Sequence, residues 1–210
     1  MVQLFAFSTP NSIKVSIALE ELGVPYELKP INIRHGEQRA PAFVGLNPNA
    51  KVPVLVDEEN GNSFALTESA AILVYLAEKH GALLPHDAVA RARVFEQLFF
   101  HASALGPAFG QAGYFQKLAA EKLPPAIDRF HTEAKRTLGL LELTLARHTY
   151  AAGEAYSIAD IAHFGWIWRR AFAGVDFKDT PNVERWFGAM SARPAVIHAI
   201  SRVEALVPAA

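Results

Sequence analysis

The sequence predicts an α/β domain over residues 1–80 followed by an all-helical domain over residues 88–210. Strand-like and helix-like segments alternate through the first part, whereas only helical spacing recurs after it. With 210 residues, 51% of them hydrophobic, the chain has enough apolar side chains for real cores without metals or cross-links.

Residues 2–7 form a short apolar run ended by the turn-prone Ser8-Thr9-Pro10-Asn11. Ile13, Ile17, Ala18 and Leu22 then repeat at helical spacing up to Gly23. Residues 26–33 predict a second strand, residues 41–46 a short helix and residues 52–56 a third strand. Asn60-Gly61-Asn62 marks a hairpin into a strand over residues 63–66, and a helix over residues 68–79 stops at Gly81. That order implies a mixed sheet. Residues 83–87, with Pro85, read as a linker.

Beyond the linker, Gly106, Pro107 and Gly110 should bend or break the helix expected over residues 95–115. Ile127, Phe130, Ala134, Leu138, Leu141 and Leu145 lie three or four apart and describe one apolar stripe on a long helix. Ser157-Ile158-Ala159-Asp160 reads as a capping box with Asp in place of Glu, opening an apolar helix to about residue 173. Helices over residues 182–191 and 194–206 complete the second domain.

Composition excludes several kinds of chemistry. There is no cysteine, hence no disulfide, no thiolate metal site and no thiol nucleophile of the protein's own. Lys+Arg number 20 against 21 Asp+Glu, with no basic run, so nucleic-acid binding is not expected. The longest apolar run, residues 70–77, falls far short of the roughly 20 residues that span a bilayer. The amino terminus does not resemble a signal peptide, and the chain reads as soluble and cytoplasmic. No GxSxG, GxxxxGK or GxGxxG motif occurs, and the eight histidines form no HExxH pair, so no resident metal is expected.

What remains is a pair of helix starts beside strand ends. Thr9 is placed to cap a helix whose first residue is Pro10, and Thr67 to cap one beginning at Glu68-Ser69. Such starts attract a carboxylate or lower a thiol's pKa, although most capped helices bind nothing. Between them lies Lys51-Val52-Pro53, where a turn before Pro53 would leave the Val52 backbone open to an extended peptide.

Ser8-Thr9-Pro10-Asn11, Gly36-Glu37-Gln38, Leu46-Asn47-Pro48-Asn49, Lys51-Val52-Pro53 and Leu66-Thr67-Glu68-Ser69 resemble, in order, the thioredoxin-like half of the cytosolic glutathione S-transferases. The likeness continues through Gly153-Glu154-Ala155-Tyr156-Ser157-Ile158-Ala159-Asp160 and covers nearly the whole chain. Thr9-Pro10-Asn11, with Leu105-Gly106-Pro107 and Gly110-Gln111, looks most like bacterial nu-class members with disulfide-bond reductase activity.

The resemblance implies a homodimer of that fold with glutathione as co-substrate. It implies that Glu68 and Ser69 hold the γ-glutamyl end, that Val52, before Pro53, pairs its backbone with the cysteinyl unit, and that Gln38 and Lys51 meet the glycyl carboxylate. Thr9 and Asn11 would stabilise the glutathione sulfur, since neither a hydroxyl nor an amide is a good base at neutral pH. Arg129 would help bind glutathione across the dimer interface. Tyr114, Phe115, Phe109 and Trp166 are candidates for a second, apolar pocket or for core, and Asp160 is expected to cap and fold. The implied reaction is reduction of a small disulfide by glutathione. Ser8-dependent conjugation of electrophiles and a non-catalytic interaction module remain as alternatives.

Overall fold

The computed structural model describes residues 1–59 and 61–207. Asn60, the first residue of the expected hairpin signal, lies outside them.

Strand β1 (Val2–Ala6), helix α1 (Pro10–Glu21) and β2 (Tyr26–Pro30) come first, then α2 (Pro41–Leu46), β3 (Val54–Glu59), β4 (Asn62–Thr67) and α3 (Ser69–His80). The sheet order is β2-β1-β3-β4, with β1 parallel to β2 and antiparallel to β3, and β3 antiparallel to β4. This is the mixed sheet the sequence implies. β3 begins two residues later than expected: Pro53 has no N–H for a ladder, and pairing starts at Val54. Helix α3 starts without the expected Thr67 cap; Glu68 occupies the N-cap position and its side chain makes no cap hydrogen bond. Its other end closes as predicted, with Gly81 left-handed at φ 64°.

Leu4, Leu55, Ile13, Ile17, Leu73 and Leu76 are fully buried, so α1 and α3 cover the sheet with their apolar stripes. On α1 every residue from Ser12 to Leu19 is buried, more than a one-sided stripe would give. The second cover is the last helix, α9 (Pro194–Glu204), which packs along α1. Arg193 donates to both oxygens of Glu21 at 2.5 and 2.9 Å, and Arg202 donates to Glu20 at 3.1 Å with its guanidinium 4.0 Å from the Tyr26 ring centre. Burial pushes the Glu20 carboxyl up, but bonds from Tyr26, His198 and Arg202 outweigh it and hold the group below its ordinary value. The chain therefore divides into one compact unit of Met1–Ala82 with the described residues from Ala192 on, and a second of Leu83–Ser191. The domain expected over residues 88–210 loses its last helix to the first unit.

Taken by itself, the second unit is helical: α4 (Ala88–Phe100), α5 (Gly106–Gly113), α6 (Pro124–Leu145), α7 (Ile158–Trp168) and α8 (Pro181–Ser191). The break expected near Gly106 and Pro107 is a π-helical turn over His101–Leu105, and a second π turn, Tyr114–Leu118, follows α5. Glycines in α5 allow close packing, with Trp166 against Gly106 and Gly110 and the Phe172 ring against Gly113. Helix α7 ends at Trp168 and continues as a 3-10 turn over Arg170–Ala173, shorter than the sequence predicts. The capping box is present: Asp160, fully buried, accepts from the backbone of Ser157 and Ala151 and from Trp186 Nε1 at 2.9 Å. Of the aromatic residues weighed as pocket or core, Phe109 is buried, Phe115 stacks on Phe130 and Tyr114 is exposed.

Candidate functional site

Sheet register gathers the site. Val54 opens β3 opposite Phe5, near the end of β1, on one side and Thr67, the last residue of β4, on the other. The segments holding Thr9 and Asn11, Val52 and Pro53, and Glu68 and Ser69 therefore emerge at one end of the sheet. The chain leaving β2 joins them, since Ile31 N–H bonds the Ala6 carbonyl at 2.9 Å.

Thr9 is the N-cap of α1. Its hydroxyl accepts from Ser12 N–H at 3.1 Å and donates to Ser12 Oγ at 2.9 Å. Pro10 fills the first helical position, where no N–H is needed. Asn11 follows, and one turn later comes Lys14, only 2% exposed. The Lys14 ammonium donates to Asn11 Oδ1 at 2.7 Å and reaches Ser69 Oγ at 3.5 Å. Burial lowers the Lys14 pKa to about 7, opposed by the negative charge of Glu68. Because Oδ1 of Asn11 is taken by a cation, its Nδ2 is left as a donor without a partner among the described residues.

Glu68 has φ 68° and ψ 110°, a backbone region that costs about 1–3 kcal/mol for a residue with a β-carbon. That turn ends β4 and starts α3 within one residue. The first amides of α3 have no side-chain cap, so the helix start carries its partial positive charge beside the Ser69 hydroxyl.

The Val52-Pro53 peptide is cis. The Val52 side chain is packed with Phe7, Phe43, Val54 and Val56, while its main chain has no backbone partner among the described residues. The loop before it is tied down by Asn47, which donates to the Lys51 carbonyl at 2.7 Å and accepts from Asn49 N–H at 3.0 Å. Lys51 itself is exposed. Gln38 sits in a 3-10 turn, Glu37–Arg39, and its Oε1 is buried without a partner among the described residues. Ser8 is buried at 9% exposure.

Six of the predicted residues, Thr9, Asn11, Val52, Pro53, Glu68 and Ser69, thus stand at one sheet end, with Gln38 and Lys51 on the loops beside them. Arg129 belongs to the second unit, exposed on α6. Two residues were missed by sequence reasoning, Ser12 and Lys14. The available signal was a lysine three residues after Asn11 and four before Ala18, at the edge of an apolar stripe. A lone lysine there usually reaches water. The assembled groups are two helix starts, a buried ammonium, an exposed lysine and one carboxylate, a set suited to a small ligand bearing carboxylates and an ammonium.

Residues 9–79 match the family model for the glutathione S-transferase N-terminal domain, and residues 97–194 that for the C-terminal domain. Over 209 residues the chain is 36% identical to the disulfide-bond oxidoreductase YfcG of Escherichia coli, covering 97% of this chain and 96% of that one. A glutathione transferase family member from Pseudomonas fluorescens, solved with two glutathiones bound, superposes with a TM-score of 0.89 at 39% identity, over 95% of this chain and 92% of that one. A glutathione transferase from Pseudomonas putida, with one glutathione disulfide per subunit, gives 0.87 at 38% identity, over 95% and 90%.

Proposed function

The chain belongs to the glutathione S-transferase family, and from that membership we propose that it reduces small disulfides with glutathione in the cytoplasm, as a homodimer. One observation carries the reading. In a thioredoxin-like fold without cysteine, Asn11 stands at the start of α1 with its oxygen bonded to Lys14 and its amide N–H groups without a partner among the described residues. A donor there stabilises a sulfur anion that the protein does not itself supply. Bound glutathione supplies the thiolate, which displaces one sulfur of the disulfide to leave a mixed disulfide and a thiolate that takes a proton from water; a second glutathione resolves the mixed disulfide.

The residues divide the remaining work. Asn11 Nδ2 donates to the sulfur. Thr9 fixes the helix start that aims Asn11, and its hydroxyl turns to the sulfur only by releasing Ser12. Ser69 and the uncapped amides of α3 hold the γ-glutamyl carboxylate, and Glu68 takes the ammonium. The Val52 main chain, before Pro53, pairs with the cysteinyl unit as an added strand would. Gln38, through its Nε2 donor, and Lys51 meet the glycyl carboxylate. Arg129 enters through the family resemblance and adds affinity for glutathione.

The test is reduction of hydroxyethyl disulfide by glutathione, coupled to glutathione reductase and NADPH. The purified protein is expected to raise the rate well above the uncatalysed one, and Asn11→Ala to remove most of the gain. A rate unchanged by the protein, or a gain kept in full by Asn11→Ala, would overturn the reading.

A further inference from the structure

We propose that Lys14 is a positioning residue that orients both ends of the glutathione site, turning the Asn11 amide and the Ser69 hydroxyl outward as donors. The inference rests on the glutathione reading above and adds to it a residue and a cause.

In its charged form, held below a pH of about 7, the Lys14 side chain has three donors and no acceptor, so whatever bonds it must present an acceptor. At 2.7 Å from Lys14 Nζ, Asn11 therefore shows it Oδ1; the flipped amide would set two N–H donors against a cation. The Nδ2 group must then point away. The same logic acts on Ser69, whose oxygen lies 3.5 Å from the ammonium. Its lone pair faces Lys14 and its proton is turned elsewhere. The two groups come from different elements, the first turn of α1 and the first of α3. One buried cation thus sets the direction of the donor assigned to the sulfur and of the donor assigned to the γ-glutamyl carboxylate.

Packing alone does not account for Lys14. It is 2% exposed on a helix whose other buried residues are apolar, such as Ile13, Val15, Ile17 and Leu19, or small, such as Ser12 and Ser16. A buried cation costs desolvation that an apolar side chain of equal length avoids. The neighbouring Glu68 offsets part of that cost while occupying a strained backbone position of its own.

Calorimetric binding of glutathione and the disulfide-reduction assay test the proposal on the full chain. For wild type, measurable glutathione binding is expected; its absence would end the functional reading and this inference with it. Lys14→Met is expected to stay folded by circular dichroism, with a thermal midpoint no lower than wild type. It should weaken glutathione binding roughly tenfold to a hundredfold, the range for losing charge-assisted hydrogen bonds. The ultraviolet thiolate absorbance of bound glutathione should fall with it. S-methylglutathione, which has no thiol to ionise, should lose less affinity than glutathione. In kcat, Lys14→Met combined with Asn11→Ala should be no worse than Asn11→Ala alone, to within about twofold, because Lys14 acts on the sulfur through Asn11.

Asn11→Asp gives an independent arm. It keeps an oxygen for Lys14 and removes the outward donor, so the protein should fold and be as slow as Asn11→Ala. Wild-type binding that Lys14→Met leaves unchanged, additive losses in the double variant, or full activity in Asn11→Asp would each overturn the proposal.

Discussion

The Thr9 hydroxyl gives its proton to Ser12 Oγ at 2.9 Å and takes the Ser12 N–H at 3.1 Å, closing a two-way link inside the first turn of α1. Both polar functions of a residue that sequence pairs with Asn11 are thereby committed to the helix. Thr9→Ala is expected to lower stability by about 1 kcal/mol, the usual loss for an N-cap. Asn11→Ala should instead lower kcat/KM for disulfide reduction by roughly tenfold to a hundredfold, and some stability with it, because the buried Lys14 ammonium loses its 2.7 Å acceptor. Thermal unfolding and steady-state kinetics on the two variants separate the roles, and equal kinetic losses would return Thr9 to the sulfur.

Asp160 holds the Ser157 cap of α7 and ties two further segments to it, through Ala151 and Trp186. Removing its carboxylate leaves two backbone N–H groups and an indole N–H buried without an acceptor. Asp160→Ala should cost on the order of 3–5 kcal/mol in urea unfolding. Asp160→Asn, which keeps one acceptor oxygen, should cost less.

The first unit should be acid-labile. Burial raises Asp57, but hydrogen bonds from Lys79 and Tyr75 outweigh it and hold the carboxyl low, as the Tyr26, His198 and Arg202 contacts do for Glu20. A carboxyl lowered by folding takes up a proton on unfolding near its ordinary value, 3.8 for Asp57 and 4.5 for Glu20. The stabilisation is therefore complete above that range and is lost as pH falls through the lower folded values. Asp160, raised by burial, contributes with the opposite sign. Urea unfolding between about pH 6 and pH 3 should show the net loss, and Glu20→Gln and Asp57→Asn should each flatten its slope.

At Gly113 helix propensity and packing pull in opposite directions. Alanine would gain about 1 kcal/mol of helix propensity, but its β-carbon would lie 2.0 Å from Phe172 Cε1 and 2.1 Å from Cδ1. The ring must leave its seat, and overpacking of this kind typically costs about 1–3 kcal/mol. Gly113→Ala should therefore lower the denaturation midpoint, and a rise would show that the ring relocates freely.

Local pattern was enough for the strand and helix order, for the capping box at Ser157 and Asp160, and for the breaks around Gly106. It failed where the third dimension decides. No signal marks a glutamate for positive φ, so the Thr67 cap expected from spacing gave way to the turn at Glu68. The Pro53 amide without a hydrogen explains why β3 starts late, a detail the sequence contained but the hydrophobic run obscured. Motif order located the ends of β1, β3 and β4, yet Lys14 sits inside an ordinary helical repeat. Its importance comes from contact with Ser69, 55 positions away. The ownership of α9 was hidden for the same reason, since apolar spacing says that a helix packs and not against what.

That last helix has a consequence for the order in which the molecule is made. Arg193 meets Glu21 across 172 positions and Arg202 meets Glu20 across 182. As the chain leaves the ribosome, the sheet and α1 emerge before the second unit, but the outer flank of α1 stays bare until all of Leu83–Ser191 and then α9 have followed. The helical unit in between, contiguous and local, has the chance to fold while the first unit still waits. The half carrying the motif-bearing loops is thus first to be synthesised and last to be completed, and for that interval α1 depends on chaperones, or on speed, to keep its apolar flank covered.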